Sequence, residues 1–433
     1  MEGHMQKDLV NKKSQLLQRL ILVFLFGLSI VLRLSLYNVK STDYFYFFGP
    51  DYDFIRLHGG FAALKYPFSD YNPLYLYLLT LMTYTPLPKL AAIKTLSIVF
   101  DAVLALFTYL ILRLKYTRSY TPIIGAVVIL FAPIIFINSA AWGQCDAMYT
   151  SLCVGSLYFL LSERPGWACL FFGLAISFKL QAIFFLPVLF VLLLTRKLPI
   201  KYLILIPVIY VALLAPALLE GRDAWSLLTI YAGEANEYLY LTMNAPNFYQ
   251  WLPGAAFQDW RGTGIQLAAM MVILISILTL TSNKQITSDI ILKFTLVFAL
   301  VIPFFLPQMD ERYFYLANAV SIIYAFYFPR YWYVAVIEQL CSLLSYIPFL
   351  FHTQVVNLAY VAFVVLLLII ITLADLVRTL YPTIQVPVVM SGASRNDRLV
   401  MSFWLKVSFR QREFQAHFSV TEGDTTHIIH ISD

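Results

Sequence analysis

The chain is predicted to be an all-α polytopic membrane protein, and three observations carry that prediction. Hydrophobic residues fill 60% of its 433 positions, charged residues only 12%, and the mean hydropathy is +0.75, far from the range of a soluble domain. Apolar stretches close to the about 20 residues that cross a hydrocarbon core about 30 Å thick recur from Leu20 to Tyr381. Polar and apolar residues nowhere alternate strictly, which argues against a transmembrane barrel. Tyr and Trp crowd the segment ends, as interfacial belts do. The net charge of +6 fits cytoplasmic loops rich in Lys and Arg, so no nucleic-acid partner is expected.

Positive charges set the threading. Lys7, Lys12, Lys13 and Arg19 precede the first span, Leu20 to Tyr37, and place the N-terminus in the cytoplasm. The second, Leu90 to Leu112, returns to Arg113, Lys115 and Arg118; Pro122 to Ala140 goes out to Trp142, and Ala147 to Leu161 comes back to Arg164. Two short pieces, Trp167 to Phe178 and Ile183 to Leu194, meet outside at Lys179-Leu180-Gln181 and re-enter at Arg196, Lys197 and Lys201. Tyr202 to Leu219 leads to a long outer loop, Ile265 to Leu280 returns to Lys284, and Ile290 to Leu306 leads out to Asp310. Phe314 to Phe328, Tyr333 to Phe351 and Val355 to Leu373 finish near Arg378, inside. The expectation is roughly twelve spans, with residues 1–381 as one transmembrane catalytic domain. Residues 382–433 turn polar and are expected to be a cytoplasmic tail, disordered or weakly folded.

Threaded this way, six polar clusters share the non-cytoplasmic face: Asp43 with Asp51 and Asp53, Asp70-Tyr71-Asn72, Trp142 to Asp146, Lys179 with Gln181, Asn244 to Gln250, and Asp310-Glu311-Arg312. Charge at membrane depth costs roughly 2.5–3.5 kcal/mol per residue on insertion scales, so it persists where it is paired or functional. Asp146 is spaced to share a helix face with Trp142 and Tyr149, and Lys179 sits where a cation can meet an anionic group. Asp101, Glu338 and Asp375 lie mid-span and are read as helix-pairing residues. The four cysteines have neither metal-ligand spacing nor a disulfide framework. No metal site is assigned and no cofactor is required, although the Asp51-x-Asp53 spacing leaves a divalent cation, Mg²⁺ or Mn²⁺, open.

The run Pro307-Gln308-Met309-Asp310-Glu311-Arg312-Tyr313-Phe314-Tyr315 resembles the His-Glu-Arg-Tyr or Asp-Glu-Arg-Tyr block of the GT-C polytopic membrane glycosyltransferases. The likeness is strongest to bacterial mannosyltransferase-like relatives of the enzyme that adds the second mannose of GPI anchors. It extends over Thr42 to Ile55, Phe68 to Pro73, Trp142 to Asp146 and Ser177 to Gln181, and so over nearly the whole chain to about Tyr381. Asp310 stands where relatives often carry His, so an acid–base role for that His does not transfer.

The resemblance implies a GT-C-like topology with a large first outer loop. It further implies a glycosyltransferase that moves a hexose, mannose favoured, from a polyprenyl-phosphate donor to a lipid, glycan or protein acceptor, with inversion, on the non-cytoplasmic side. That membrane is the plasma membrane in a bacterium and the endoplasmic reticulum in a eukaryote. Inverting transfer needs a carboxylate to take the acceptor's proton. The corresponding Asp of the superfamily falls on Asp43, with Asp53 as second choice. Arg312 and Lys179 are the candidates for the donor phosphate, Arg because its fork suits phosphate oxygens. Asp146, Gln144, Trp142, Glu311, Asp310, Gln181, Asn72 and Asn247 are expected to bind sugar or acceptor. The competing readings are a secondary transporter or flippase, which gathers its ionisable groups near the midplane, and a lipid-binding subunit without catalysis.

Overall fold

A computed structural model describes the backbone of residues 2–393, 398–408, 413–422 and 425–432, and the side chains of 18–236 and 238–382. The first apolar run forms α1 (Glu2–Ser35), whose part Gln18–Ser35 is long enough to cross a membrane yet only 11% buried in protein. It stands at the rim of the bundle. After it come α2 (Gly49–Leu57) and α3 (Pro73–Thr83), each with proline in its first turn, where an N–H would lack a helical partner anyway. The spanning helix α4 (Lys89–Lys115) then ends on Arg113 and Lys115. A buried pair ties α1 to α4: Arg33 meets Asp101 at 2.9 Å, and Ser139 donates to the same carboxylate at 2.5 Å. Mid-span charge is thus neutralised within the protein rather than exposed to lipid.

Helices α5 (Thr121–Phe131) and α6 (Pro133–Phe136) run on through a π-helical turn to Trp142 as one crossing bent by 51° at the Ala132–Pro133 break. Three short helices follow, α7 (Asp146–Leu161), α8 (Pro165–Phe178) and α9 (Leu186–Leu194). Next come α10 (Leu205–Leu219), α11 (Ala224–Leu228) and α12 (Ile230–Glu237), then α13 (Phe257–Leu280), α14 (Ser288–Phe305), α15 (Tyr315–Tyr327), α16 (Trp332–Phe351) and α17 (Leu358–Leu380). The central element is α14, 83% buried. Its Lys293 pairs at 2.8 Å with Asp375 of α17, which also accepts a hydrogen bond from Tyr324 of α15 at 2.6 Å. Glu338, grouped with Asp101 and Asp375 by sequence, differs: it is buried in α16 with no hydrogen-bond partner on either oxygen among the described residues.

Among the described residues, seven helices are long and apolar enough to cross a membrane, or eight if the bent pair counts as one. The count of roughly twelve also drew on the segments that form α7, α8, α9 and α15. A 16-residue helix such as α7 rises only about 24 Å against a core of about 30 Å, so these segments are too short to span alone. They instead supply the buried interior on which the site is built.

Two short strands matter to the site. In β1 (Thr242–Met243) and β2 (Met309–Asp310) the chain pairs in parallel, Thr242 beside Met309 and Met243 beside Asp310. From Thr383 onward, where the sequence reads as a polar tail, the backbone forms an antiparallel meander of β3 (Thr383–Ala393), β4 (Arg398–Ser408), β5 (Glu413–Glu422) and β6 (Thr425–Ser432). Strands therefore accompany the helices that the all-α reading describes.

Candidate active site

The end of α1, the bend at Trp142, the starts of α7 and α15 and the ends of α8, α14 and α16 meet around a cavity of about 490 Å³. Its walls are built by long-range ties. Lys94 of α4 donates to the carbonyls of Leu36, Tyr37 and Val39, at 2.9, 3.2 and 2.6 Å, and so holds the chain leaving α1. Ser41 then donates to the Trp142 carbonyl at 2.8 Å, which sets Asp43 against the Trp142–Gln144 block. Gly143 has φ +83°, a left-handed conformation that costs glycine little, and it turns the chain so that Gln144 points at Asp43. Because of that turn, Trp142 and Asp146 do not share a helix face, as their spacing suggests; α7 begins only at Asp146.

Asp43 is buried and lines the cavity. Its Oδ2 accepts hydrogen bonds from Trp142 Nε1 at 2.8 Å and from Gln144 Nε2. Both donors fall on one oxygen, and Oδ1 has no protein hydrogen bond among the described residues. The Trp142 ring is held in turn by Phe349, stacked at 4.7 Å, and by Tyr346 edge-on at 5.1 Å, both from α16. A carboxylate oriented by two donors on one oxygen and open on the other is arranged to accept a proton from a bound hydroxyl.

Opposite charge is held by Asp146, fully buried beneath the cavity. Its Oδ1 meets Lys179 Nζ at 2.6 Å, and its Oδ2 accepts from Asn138 at 2.8 Å and lies 3.9 Å from Arg312 Nη1. Arg312 Nη2 also pairs with Asp310 at 2.5 Å, and its guanidinium lies over the Trp142 ring at 5.2 Å. Lys179 and Arg312 both line the cavity, one behind the end of α8 and the other before α15.

The strand pair carries the third wall. The Gln308 and Glu311 N–H groups donate to the carbonyls of Leu241 and Met243, at 2.9 and 3.0 Å, and lock the Asp310-Glu311-Arg312 turn to the loop after α12. Gln308 has φ +63°, uncommon for a side chain of its size, and its amide donates to the Ala235 and Tyr238 carbonyls at 3.1 and 2.6 Å. Arg261 of α13 holds the same segment through the Ala235 carbonyl at 3.0 Å and the Asn236 side chain at 2.8 Å. The α12 segment thereby covers the cavity.

Eight of the expected residues line this cavity: Asp43, Asn72, Gln144, Lys179, Gln181, Asp310, Glu311 and Arg312. Asn72 is buried and donates to Tyr210 at 3.2 Å, and Gln181 donates to Glu234 at 3.3 Å. Four expected residues do not line it. Trp142 and Asp146 act on it from behind, through Asp43, Lys179 and Arg312. Asn247 is fully buried and caps the turn Phe248–Trp251 by accepting from the Tyr249 N–H at 3.2 Å; its neighbour Asn244 lines the cavity instead. Asp53 faces away, half-exposed and paired with Lys89 at 2.6 Å. Asp51 and Asp53 take different partners. Asp51 is buried against Ser69, 2.7 Å away, and burial pushes its carboxyl up to about 7, with the Ser69 bond opposing and Asp70 adding to the shift.

Residues 68–281 match the model of glycosyltransferase family 87. The match covers just under half of the chain, and the family is of the GT-C type, which supports a membrane glycosyltransferase. No curated protein matches the chain. The family 87 span starts at the Phe68-Ser69-Asp70 block and ends with α13, and so includes Asn72, Trp142 to Asp146, Lys179, Gln181 and the covering segment α12. Asp43 and the Asp310–Arg312 turn lie outside it and join the cavity through the tertiary ties above. Tyr231, Glu234, Arg261 and Phe349 also line the cavity and were not singled out as site residues from sequence. Glu234 had a signal, as a carboxylate in a large loop; the other three had none.

If Asp43 rather than Asp53 serves the reaction, Asp53→Asn is expected to keep transfer within about threefold of wild type, since it alters only an exposed ion pair worth roughly 0–1 kcal/mol. A steady-state assay at saturating donor checks this.

Proposed function

We propose that the protein transfers a hexose, mannose favoured, from a polyprenyl-phosphate carrier to a hydroxyl of a lipid, glycan or protein acceptor on the non-cytoplasmic face. One observation supports the reading above all: a single cavity presents the open oxygen of Asp43 and two cations, Lys179 and Arg312. Its remaining wall is apolar, with Phe178, Phe184 and Leu306 beside Ile183 and Ile265, the last two roughly half-exposed on the outside of the bundle. A phosphate on a polyprenyl chain matches that division. A water-soluble nucleotide sugar has no use for the apolar wall.

In this mechanism Asp43 Oδ1 takes the proton of the acceptor hydroxyl as its oxygen attacks the anomeric carbon from the side opposite the phosphate. The bond from that carbon to the phosphate oxygen breaks, and the charge left on phosphate is met by Lys179 and Arg312. Configuration inverts because a single displacement occurs. Asp146 keeps the two cations charged and aimed without touching substrate, and Gln181, Asn72 and Asn244 offer hydrogen bonds to sugar or acceptor hydroxyls.

The test is transfer by purified protein in lipid nanodiscs, with polyprenyl-phosphate mannose, glucose or galactose offered to extracted glycolipids, and product configuration read by NMR. Inverted product from a polyprenyl-phosphate sugar is the expected result. Retention of configuration, or activity with nucleotide sugars alone, rejects the mechanism. Ion-gradient-dependent uptake by sealed vesicles without transfer favours the transporter.

A further inference from the structure

Asp310 and Glu311 are consecutive in the cavity wall. Two neighbouring carboxyls beside a single shared cation repel each other when both are ionised, which favours one of them keeping its proton. The structure indicates which one. Asp310 has a cation, Arg312, at 2.5 Å. Glu311 is buried and has no ion pair among the described residues, because Arg312 is divided between Asp310 and Asp146 while Lys179 is bound to Asp146. Around it stand Asp310, Arg312 and Tyr313 on its own segment, Asp43 beyond the end of α1, Asp146 at the start of α7, Lys179 after α8, Glu234 on α12 and the Tyr346 phenol on α16. Burial first, and then Asp310, hold the Glu311 carboxyl well above the usual carboxylate range, with Arg312 opposing.

Cavity charge leads to the same place. Five carboxyl groups line the cavity against three cations, Lys179, Arg261 and Arg312. That balance disfavours a phosphate, and a neutral carboxyl lessens the repulsion; Glu311 is the one placed to be so.

We propose that Glu311 is a neutral acid in the working enzyme and donates its carboxyl proton as a hydrogen bond to a phosphate oxygen of the bound donor, keeping that proton throughout the reaction. The role rests on the polyprenyl-phosphate reading above, and adds a third donor beside Lys179 and Arg312. As pH rises and Glu311 ionises, a new anion faces the phosphate, so donor binding weakens.

Binding of polyprenyl monophosphate to protein in nanodiscs tests this without turnover. From about pH 6 to about pH 9 wild-type affinity is expected to fall about tenfold more than that of Glu311→Gln, whose amide donates at every pH. Comparing the two cancels the ligand's own ionisation. Parallel pH profiles, or a Gln variant that binds more weakly than Glu311→Ala, overturn the proposal. If neither protein binds the lipid, the donor reading is what fails. The protonation state is then read by infrared difference spectroscopy, in which the protonated-carboxyl absorption at neutral pH must lose one component in Glu311→Gln, the components of other carboxyls such as Asp51 remaining. An unchanged protonated-carboxyl absorption in that variant overturns the proposal.

Discussion

Asp43→Asn is expected to lower transfer by roughly 10³-fold, within the range of about 10²–10⁴ assigned to a general base, while leaving donor affinity within about twofold of wild type. The substitution keeps the shape of the site. An Asn Oδ1 can still accept from Trp142 and Gln144, which turns the amide nitrogen toward the cavity, where a donor stands in place of the acceptor that a hydroxyl proton needs. The loss therefore falls on turnover and not on donor binding. Single-turnover rates with a polyprenyl-phosphate sugar, set beside equilibrium binding of the same donor, separate the two. Turnover near wild type rules Asp43 out as the base.

Asp146→Ala is expected to have the largest effect on folding, roughly 3–5 kcal/mol, because it strands Lys179 in a site that leaves its side chain 8% exposed and removes one of the two carboxylates near Arg312. Removing the stranded charge as well is expected to restore much of the loss, so Asp146→Asn combined with Lys179→Met is predicted to be more stable than Asp146→Ala alone. It remains inactive for want of a phosphate-binding cation. Chemical denaturation in detergent micelles measures both variants. A double variant no more stable than Asp146→Ala refutes the account of Asp146 as the counterion of this pair. The Lys89–Asp53 pair has a similarly short separation, yet it lies open to solvent, and cutting it is predicted to change stability by no more than about 1 kcal/mol.

The two variants also show which parts of the site were legible in sequence. Composition and hydropathy alone establish the membrane class, because no soluble fold offers an interior large enough for so many apolar residues. The chemistry-bearing blocks were legible as well, since carboxylates, amides and cations are too costly in a bilayer to recur without pairing or function. Pairing was not legible. Asp43 lies 101 residues from Gln144, and α2 through α6 intervene. Nothing local distinguishes Asp43 from Asp53, two acidic residues of one loop. What separates them is that the chain leaving α1 is tied by Lys94 and Ser41 to the Trp142 turn, while α2 carries Asp53 out toward Lys89. Asn247 was placed in the site because it is polar and lies in a large outer loop. Its side chain is used to cap its own turn.

Of the roughly twelve expected spans, seven or eight are long and apolar enough to cross among the described residues, because hydropathy does not see length in three dimensions. Short apolar segments such as those of α7, α8 and α15 read like crossings, yet they are apolar because they are enclosed by other helices. By itself the sequence determined that this is a helical membrane protein and which residue types are available for transfer chemistry, since both follow from the cost of placing groups in lipid. Only the tertiary structure decided which of those residues meet, which carboxylate faces the cavity with its donors on one oxygen, and which carboxyl has no cation among the described residues. Those outcomes depend on contacts between segments far apart in the chain, and on which charges the packing leaves to neutralise one another.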